Sequence, residues 1–422
     1  MVRCLLAVVG VLRMFGGFPY TWNSSSSPTF TRRTYLVAWS VICGLLAAVL
    51  VFLPVSLHKA DFPVLSKETR RTSLTISVNI SWITVAALLS HTICHHTKLC
   101  KLLQSVCQLP FVGHQQGFSK TGLVVCVSTL LVVAVCQAGN LMVGLLFHEN
   151  VPPVVRTLLL VRKFTVDNVA YIVPLLFHLT LTLLARSLKI ASCTWLFPSS
   201  PHKMECDPEA PVVITHEDQT NTSCGYIALS RQEDPTTFIF IQNESTSQET
   251  FHELSLTDIR MMRNYVLTFN VVLEDLLGYF QLPVLVLLFN DLVLITTRSY
   301  LLIVNDTNIF TECLSIIFGS ASFTRTLLLI ISPRYIVKQR QDIARRLRRY
   351  KMNPVPPSVK EEAGHVITAL EDSPTFTIYG LFVLDRHCLL SIASFVTTYA
   401  IIAYQLEIGE NTTTNTTTTT CL

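Results

Sequence analysis

Half of the 422 residues are hydrophobic (50%), only 14% are charged, and the mean hydropathy is +0.47. A soluble domain of this length needs more polar surface, and the apolar residues fall in blocks long enough for a helix to cross ~30 Å of hydrocarbon. The net charge of +4 marks no nucleic-acid patch, and the 13 cysteines are dispersed and odd in number, many of them inside apolar runs (Cys43, Cys126, Cys136), so a disulfide scaffold is excluded as well.

The first element, around Leu5 to Leu12, is apolar but too short to span. It is a signal core or an amphipathic lead-in helix; Arg13 and Phe15-Gly16-Gly17 follow where a small-x-small cleavage site would stand, which weighs against removal. Residues 1–34 therefore form a cytoplasmic N-terminal segment. Seven spans are expected: Tyr35 to Leu53, Thr72 to Ser90, Gly122 to Phe147, Val166 to Ala185, Leu282 to Leu302, Leu314 to Ser332, and Cys388 to Leu406. The first four occupy residues 35–190. Residues 191–257 form a cytoplasmic loop whose Ser, Thr, Pro, Glu and Gln content is that of a disordered segment.

Residues 258–332 hold a long fifth helix and the sixth. The fifth is expected to start well before the membrane, because Leu254 to Phe280 is apolar-periodic apart from Glu274 and Asp275. After span six, Arg334, Lys338, Arg340, Arg345, Arg346, Arg348, Arg349 and Lys351 crowd a helical body, Ile336 to Tyr350, that stops before Pro354. Residues 333–387 thus read as a basic cytoplasmic loop or anchor at the membrane face, residues 388–406 as a pore-lining helix, and residues 407–422 as an extracellular Thr-rich tail. The acidic pair, Glu274 and Asp275, is expected to meet the basic stretch Arg345 to Arg349.

The excess of Lys and Arg on one side favours a cytoplasmic N-terminus and an extracellular C-terminus. Glycosylation sequons at Asn305, Asn411 and Asn415 then lie outside, whereas those at Asn221 and Asn243 go unused. A G-protein-coupled receptor has the opposite pattern, with its tail inside and its basic loop between spans five and six. Asp385-Arg386-His387 precedes the last span and reads as a helix-start salt bridge.

In the last span Thr398-Tyr399 is followed by five residues and then Gln405-Leu406, with Phe376, Leu381-Phe382, Asp385-Arg386 and Leu389-Leu390 upstream. This resembles the Thr-Tyr-five apolar-Gln-Phe signature that closes the arthropod gustatory receptors, with Leu406 in place of the final Phe. The resemblance implies a ligand-gated cation channel in the plasma membrane, a homo- or hetero-tetramer of related subunits opened by a small-molecule tastant, with the last helix around the pore.

The residues support a pore independently. At about 100° per residue, Ser391, Ser394, Thr398, Ile402 and Gln405 share an arc of roughly 80°, an uncharged and mostly polar face. Small polar residues also serve plain helix packing in lipid, and that is the alternative here. Glu407 and Glu410 follow directly and would ring the outer mouth. Polar groups within spans usually face a bundle interior, so Asn79, Trp82, Asn140, Asp167, Asn168, Tyr171, Asn290, Asp291 and Arg325 are candidates for a ligand cavity, with interhelical hydrogen bonding as the alternative for each. His91, Cys94, His95, His96 and Cys100 have helical spacing without a clear fourth metal ligand in fixed geometry, and no metal or cofactor is expected. No P-loop, nucleophile elbow or HExxH appears, so an enzyme is the poorest reading. A receptor that needs a separate transducer and a small-solute transporter remain as alternatives to the channel.

Overall fold

A computed structural model describes residues 2–14, 18–23, 29–52, 68–112, a few positions between 131 and 138, 153–196, 255–303, 309–372 and 374–419. Along the chain run α1 (Val2–Met14), β1 (Tyr20–Asn23), β2 (Thr29–Arg32), α2 (Thr34–Phe52), α3 (Glu68–Cys94), α4 (His96–Gln108), α5 (Pro153–Trp195), α6 (Leu256–Ile303), α7 (Ile309–Met352), α8 (Pro357–Glu371), β3 (Thr377–Ile378), β4 (Phe382–Val383) and α9 (Arg386–Thr419). Among the described residues, five helices are long and apolar enough to cross a membrane, namely α3, α5, α6, α7 and α9. The helix α2 coincides with the first expected span. The third span, Gly122 to Phe147, lies almost wholly outside the described residues, as do Asn305 and most of the expected loop at 191–257.

The lead-in segment packs as a helix. Leu5, Val8, Val9 and Leu12 of α1 are buried in the main core, where α1 lies against α5. Trp39 Nε1 donates to the Met14 carbonyl at 2.9 Å and ties α1 to α2. The antiparallel β1–β2 hairpin sets Phe18 edge-on to Phe30 and Tyr20 beside the His96 ring.

At the centre stands α5, packed against α7, α6, α1 and α3. Phe177 of α5 meets Phe280 of α6 with ring centroids 5.1 Å apart, and both are almost fully buried. The longest helix, α6, begins at a Ser255-x-x-Asp258 cap: the Asp258 N–H donates to Ser255 Oγ, which in turn donates to the Asp258 carboxylate. Its 48 residues extend ~72 Å at ~1.5 Å per residue, far more than a bilayer requires.

Two segments read as separate in the sequence are continuous in space. The basic body at 336–350 is the second half of α7, a helix of 44 residues that passes straight through Pro333. A proline removes one backbone hydrogen bond; here Ser332 just before it bonds to His178 of α5, and Ile336 just after it is buried in the main core. Likewise α9 runs on from the last span through Thr419, so most of the Thr-rich tail is helical.

Beyond the membrane lengths, the first half of α6 and the second half of α7 enclose α8, which packs on both. Pro356 and Pro357 set up the first turn of α8. Arg260 Nε and Arg263 Nη1 donate to the Glu362 carboxylate at 3.3 and 2.7 Å, fixing α8 on α6. At its other end, the free carbonyls of the last turn are satisfied by side chains: Asn270 Nδ2 and Arg340 Nη2 donate to the Ala369 oxygen, and Arg340 Nε donates to that of Leu370. These contacts make one platform out of α6, α7 and α8. Within the chain, the basic end of α7 finds its carboxylates in Asp342 and Glu371, while Glu274 and Asp275 are exposed on α6.

Candidate functional site

The first site is the free face of α9. Asp385 starts this helix as a cap, its Oδ1 accepting from the backbone N–H groups of His387 (2.9 Å) and Cys388 (3.1 Å); the expected salt bridge with Arg386 is replaced by this cap, which satisfies orphan helix donors. Only 6% of the membrane-length segment Arg386–Gln405 is buried within the chain. One edge touches the rest of the molecule: Cys388, Leu389 and Ile392 lean on the main core, Ala403 on Tyr300 and Leu301, and Ala400 is buried. At about 100° per residue, that edge lies roughly 150° around the helix from the arc of Ser391, Ser394, Thr398, Ile402 and Gln405. All five of these are exposed, on the side away from the chain's own core.

The chemistry of this face is that of an acceptor surface. Ser391 Oγ donates to the His387 carbonyl and Thr398 Oγ1 to that of Ser394, so both hydroxyl protons are spent along the helix. What Ser391 and Thr398 leave outward is oxygen lone pairs, suited to a partly dehydrated cation. The stripe is flanked by exposed apolar side chains, Leu390 (67% exposed) and Ile401 (49%) on one side, Phe395 (40%) and Tyr399 (50%) on the other. Tyr399 of the sequence motif stacks against Phe395 with ring centroids 4.3 Å apart. Such a helix is polar on a narrow front and greasy at both shoulders. The side chains of Leu406, Glu407, Glu410, Asn411 and Asn415 lie outside the described set, although α9 is helical through all five positions.

The second site lies among α5, α6 and α7. Of the nine cavity candidates, four come together. Arg325 of α7 pairs with Asp291 of α6, through Nη2 and through Nε at 3.0 Å, and its guanidinium sits 4.8 Å from the ring centre of Tyr171 on α5. Asn290 also bonds to the Asp291 side chain, and all four residues are buried. The pair is held from both sides, Thr326 Oγ1 lying 3.4 Å from the second carboxylate oxygen and Ser322 Oγ 3.1 Å from Nη2. Trp82 is buried in α3, and Asn79 and Asn168 are half-buried; Asn140 and the side chain of Asp167 lie outside the described residues. Sequence reasoning missed Ser322 and Thr326, although both lie within a turn of Arg325 on the same helix. It also missed His178, whose Nδ1 lies 2.8 Å from Ser332 Oγ beside Tyr335.

The arrangement is a satisfied ion pair, and a satisfied pair in hydrocarbon is a lock between helices before it is a ligand site. Its polar remainder is Asn290 Oδ1, buried with no hydrogen-bond partner. The histidine cluster offers less. His91 and His95 stack at 4.5 Å, His91 Nε2 meets the Tyr279 carbonyl, and burial pushes the Cys100 thiol of α4 up to about 11, so it holds its proton.

Residues 242–410 match the 7tm chemosensory receptor family. Over the whole length the fold is similar to that of the insect olfactory receptor OR5 from Machilis hrabei. The structure of that receptor in complex with eugenol gives a TM-score of 0.66 at 12% identity, covering 96% of this chain and 98% of that one. The same receptor's structure without a named ligand gives 0.64 with the same identity and coverage. No curated protein matches the sequence. From the platform through the last span the sequence is thus similar to chemosensory receptors, nearly the entire chain has a fold similar to that of an insect olfactory receptor, and five of its described helices are long and apolar enough to cross a membrane.

Proposed function

We propose that the chain is a gustatory-type receptor that works as a ligand-gated, non-selective cation channel, a tetramer of this or related subunits with α9 around the pore, the N-terminus cytoplasmic and the C-terminus outside. The observation that carries this reading is the 6% burial of α9. A chain does not leave a membrane helix with a polar stripe bare toward lipid, where unsatisfied polar groups are costly. Neighbouring copies supply the missing partners: apolar shoulders pack between subunits, and Ser391, Ser394, Thr398, Ile402 and Gln405 face a shared axis. The oxygen lone pairs on that face support cations. Thr398-Tyr399 and Gln405 support the gustatory over the olfactory type.

The ligand is a small uncharged or polar compound held among α3, α5, α6 and α7. The internal neutralisation of Asp291 by Arg325 leaves no net charge to attract an ionic ligand, while Tyr171 and Asn290 offer a ring and an amide. The fold's similarity to a receptor solved with eugenol, a small aromatic molecule, supports such a site. Purified chain in a planar bilayer, with no other component, tests the channel. Tastant-evoked current sustains it, whereas a well-folded protein that binds tastant without current belongs to the transducer-dependent alternative.

A further inference from the structure

The platform contains a second polar centre, remote from the pore stripe and the Asp291–Arg325 lock. Between α7 and the last turn of α8 lies a cavity of about 420 Å³. The polar part of its wall is Arg340, Gln341, Arg345, Arg348 and Glu371. We propose that this cavity is a binding site for a small anion carrying several phosphate groups.

Charge is the first argument. Three guanidiniums face one carboxylate in the wall, with Asp342 outside it at 3.6 Å from Arg345. The ion pairs of Arg345 with Asp342 and of Arg348 with Glu371 are exposed, and such pairs are weak and readily exchanged for a better partner. Arg340 is different. It is 3% exposed, and among the described residues no carboxylate reaches it. A guanidinium keeps its proton when buried, so this is a fixed positive charge behind the cavity wall, resting on the Phe269 ring at 5.9 Å.

Geometry is the second. Arg340 spends Nε and Nη2 on the Leu370 and Ala369 carbonyls, while Nη1 is buried without a hydrogen-bond partner. By covering those carbonyls it cancels the negative end of α8, which would otherwise repel an anion. Arg340, Gln341, Arg345 and Arg348 recur at helical spacing along one face of α7, so the outer guanidiniums stand about one turn apart. That separation suits neighbouring phosphates on one small ring, each taken by a guanidinium fork. The volume lies in the range of small-molecule sites, ~300–1,000 Å³.

Two sources carry this chemistry, a phosphoinositide headgroup and a soluble polyphosphate. From Ser332, where span six ends, Arg340 lies ~12 Å and Arg348 ~24 Å along the helix. This depth favours the soluble form. An anion seated here clamps α7 to the last turn of α8, from which the chain continues through β3 and β4 to α9.

Full-length protein in detergent, titrated calorimetrically with inositol hexakisphosphate, tests the soluble form; nanodiscs with and without phosphatidylinositol bisphosphate test the lipid. The site variant is R345Q/R348Q, which changes two exposed side chains, and the control is K98Q/K101Q on α4. We expect the soluble probe to bind, at least about 10-fold more weakly to R345Q/R348Q and unchanged in K98Q/K101Q. Binding only in lipid-bearing nanodiscs, with the same variant dependence, assigns the headgroup as the source and keeps the site. No binding to folded protein in either arm overturns it. So does an equal loss in both variants, which marks unspecific charge, or binding of polyglutamate alone, which marks a peptide surface.

Discussion

Two membrane-length helices of nearly equal hydropathy meet opposite fates. The apolar 18-residue stretch within Asn168–Trp195 of α5, mean hydropathy 1.7, is 89% buried within the chain; that within Arg386–Gln405 of α9, at 1.5, is 6% buried. Hydropathy says that a helix belongs in a membrane, and it is silent on whether its neighbours are lipid, its own chain or another copy. The distinction lies in the side chains. The α5 segment is aliphatic and aromatic nearly all round, with its Thr and Ser hydroxyls turned back to the backbone, as in Thr180 to Leu176 and Ser187 to Leu184. In α9 the small polar residues gather on one arc and bulky ones on its shoulders, a division that suits the proposed packing between copies.

The comparison breaks most severely at the lock that joins the central bundle. Asp291→Ala leaves Arg325 charged in a water-poor site, and a destabilisation of about 3–5 kcal/mol follows from removing one partner of a buried pair. Thermal unfolding in detergent should show this as a large fall in the midpoint. The double change Asp291→Leu with Arg325→Met should recover most of it, and an unchanged midpoint in the single variant would remove the lock from the account. Leu188, fully buried in the same membrane-length segment of α5, tests the core away from the ion pair. There Leu188→Ala should cost about 2–5 kcal/mol from lost contacts and the cavity left behind.

The shoulders of α9 sharpen the contrast, because they should matter to assembly and not to the chain. Leu390→Ala with Ile401→Ala removes apolar surface that is largely exposed in one chain. Its unfolding midpoint as a monomer should stay near that of the parent, while light scattering in mild detergent shows tetramer lost to smaller species. A full tetramer in this variant would return α9 to lipid and take the pore with it. On the stripe itself, Gln405→Ala should leave assembly intact and change basal current or ion preference by a few fold. Unchanged conductance and gating would exclude Gln405 from the lumen.

Much of this was legible beforehand, for reasons that differ by element. The spans declared themselves because lipid demands long apolar runs, and the stripe on α9 because helical spacing is a local property. The full length of α6 showed in its apolar period from Leu254. Other features depend on tertiary contact and left no such trace. The helix α8 is short and marginal by itself, and it holds its place through Glu362 with Arg260 and Arg263, residues about a hundred positions apart. The union of span six with the basic body in one helix, α7, continuous through Pro333, was not read from the sequence either. Four of the nine proposed cavity residues met because three helices converge, which no single helix's pattern reveals.

The smallest effect concerns the mouth of the proposed pore, where Glu407 and Glu410 follow the motif. The continuation of α9 as a helix past both positions changes what these acids can do. At about 100° per residue, positions 407 and 410 fall roughly 180° and 120° around the helix from the centre of the stripe. Carboxylates so placed do not coordinate an ion on the axis; four copies act through space, raising the local cation concentration at the outer entrance. A field of this kind is screened over ~10 Å at 0.1 M salt and over ~30 Å at 0.01 M. Glu407→Gln with Glu410→Gln should therefore lower single-channel cation conductance by less than about twofold at low salt, and by nothing measurable at high salt. A larger loss that ignores ionic strength would mean that the end of α9 departs from this helical register or that the variant fails to assemble, and subunit counting at the cell surface separates those two outcomes.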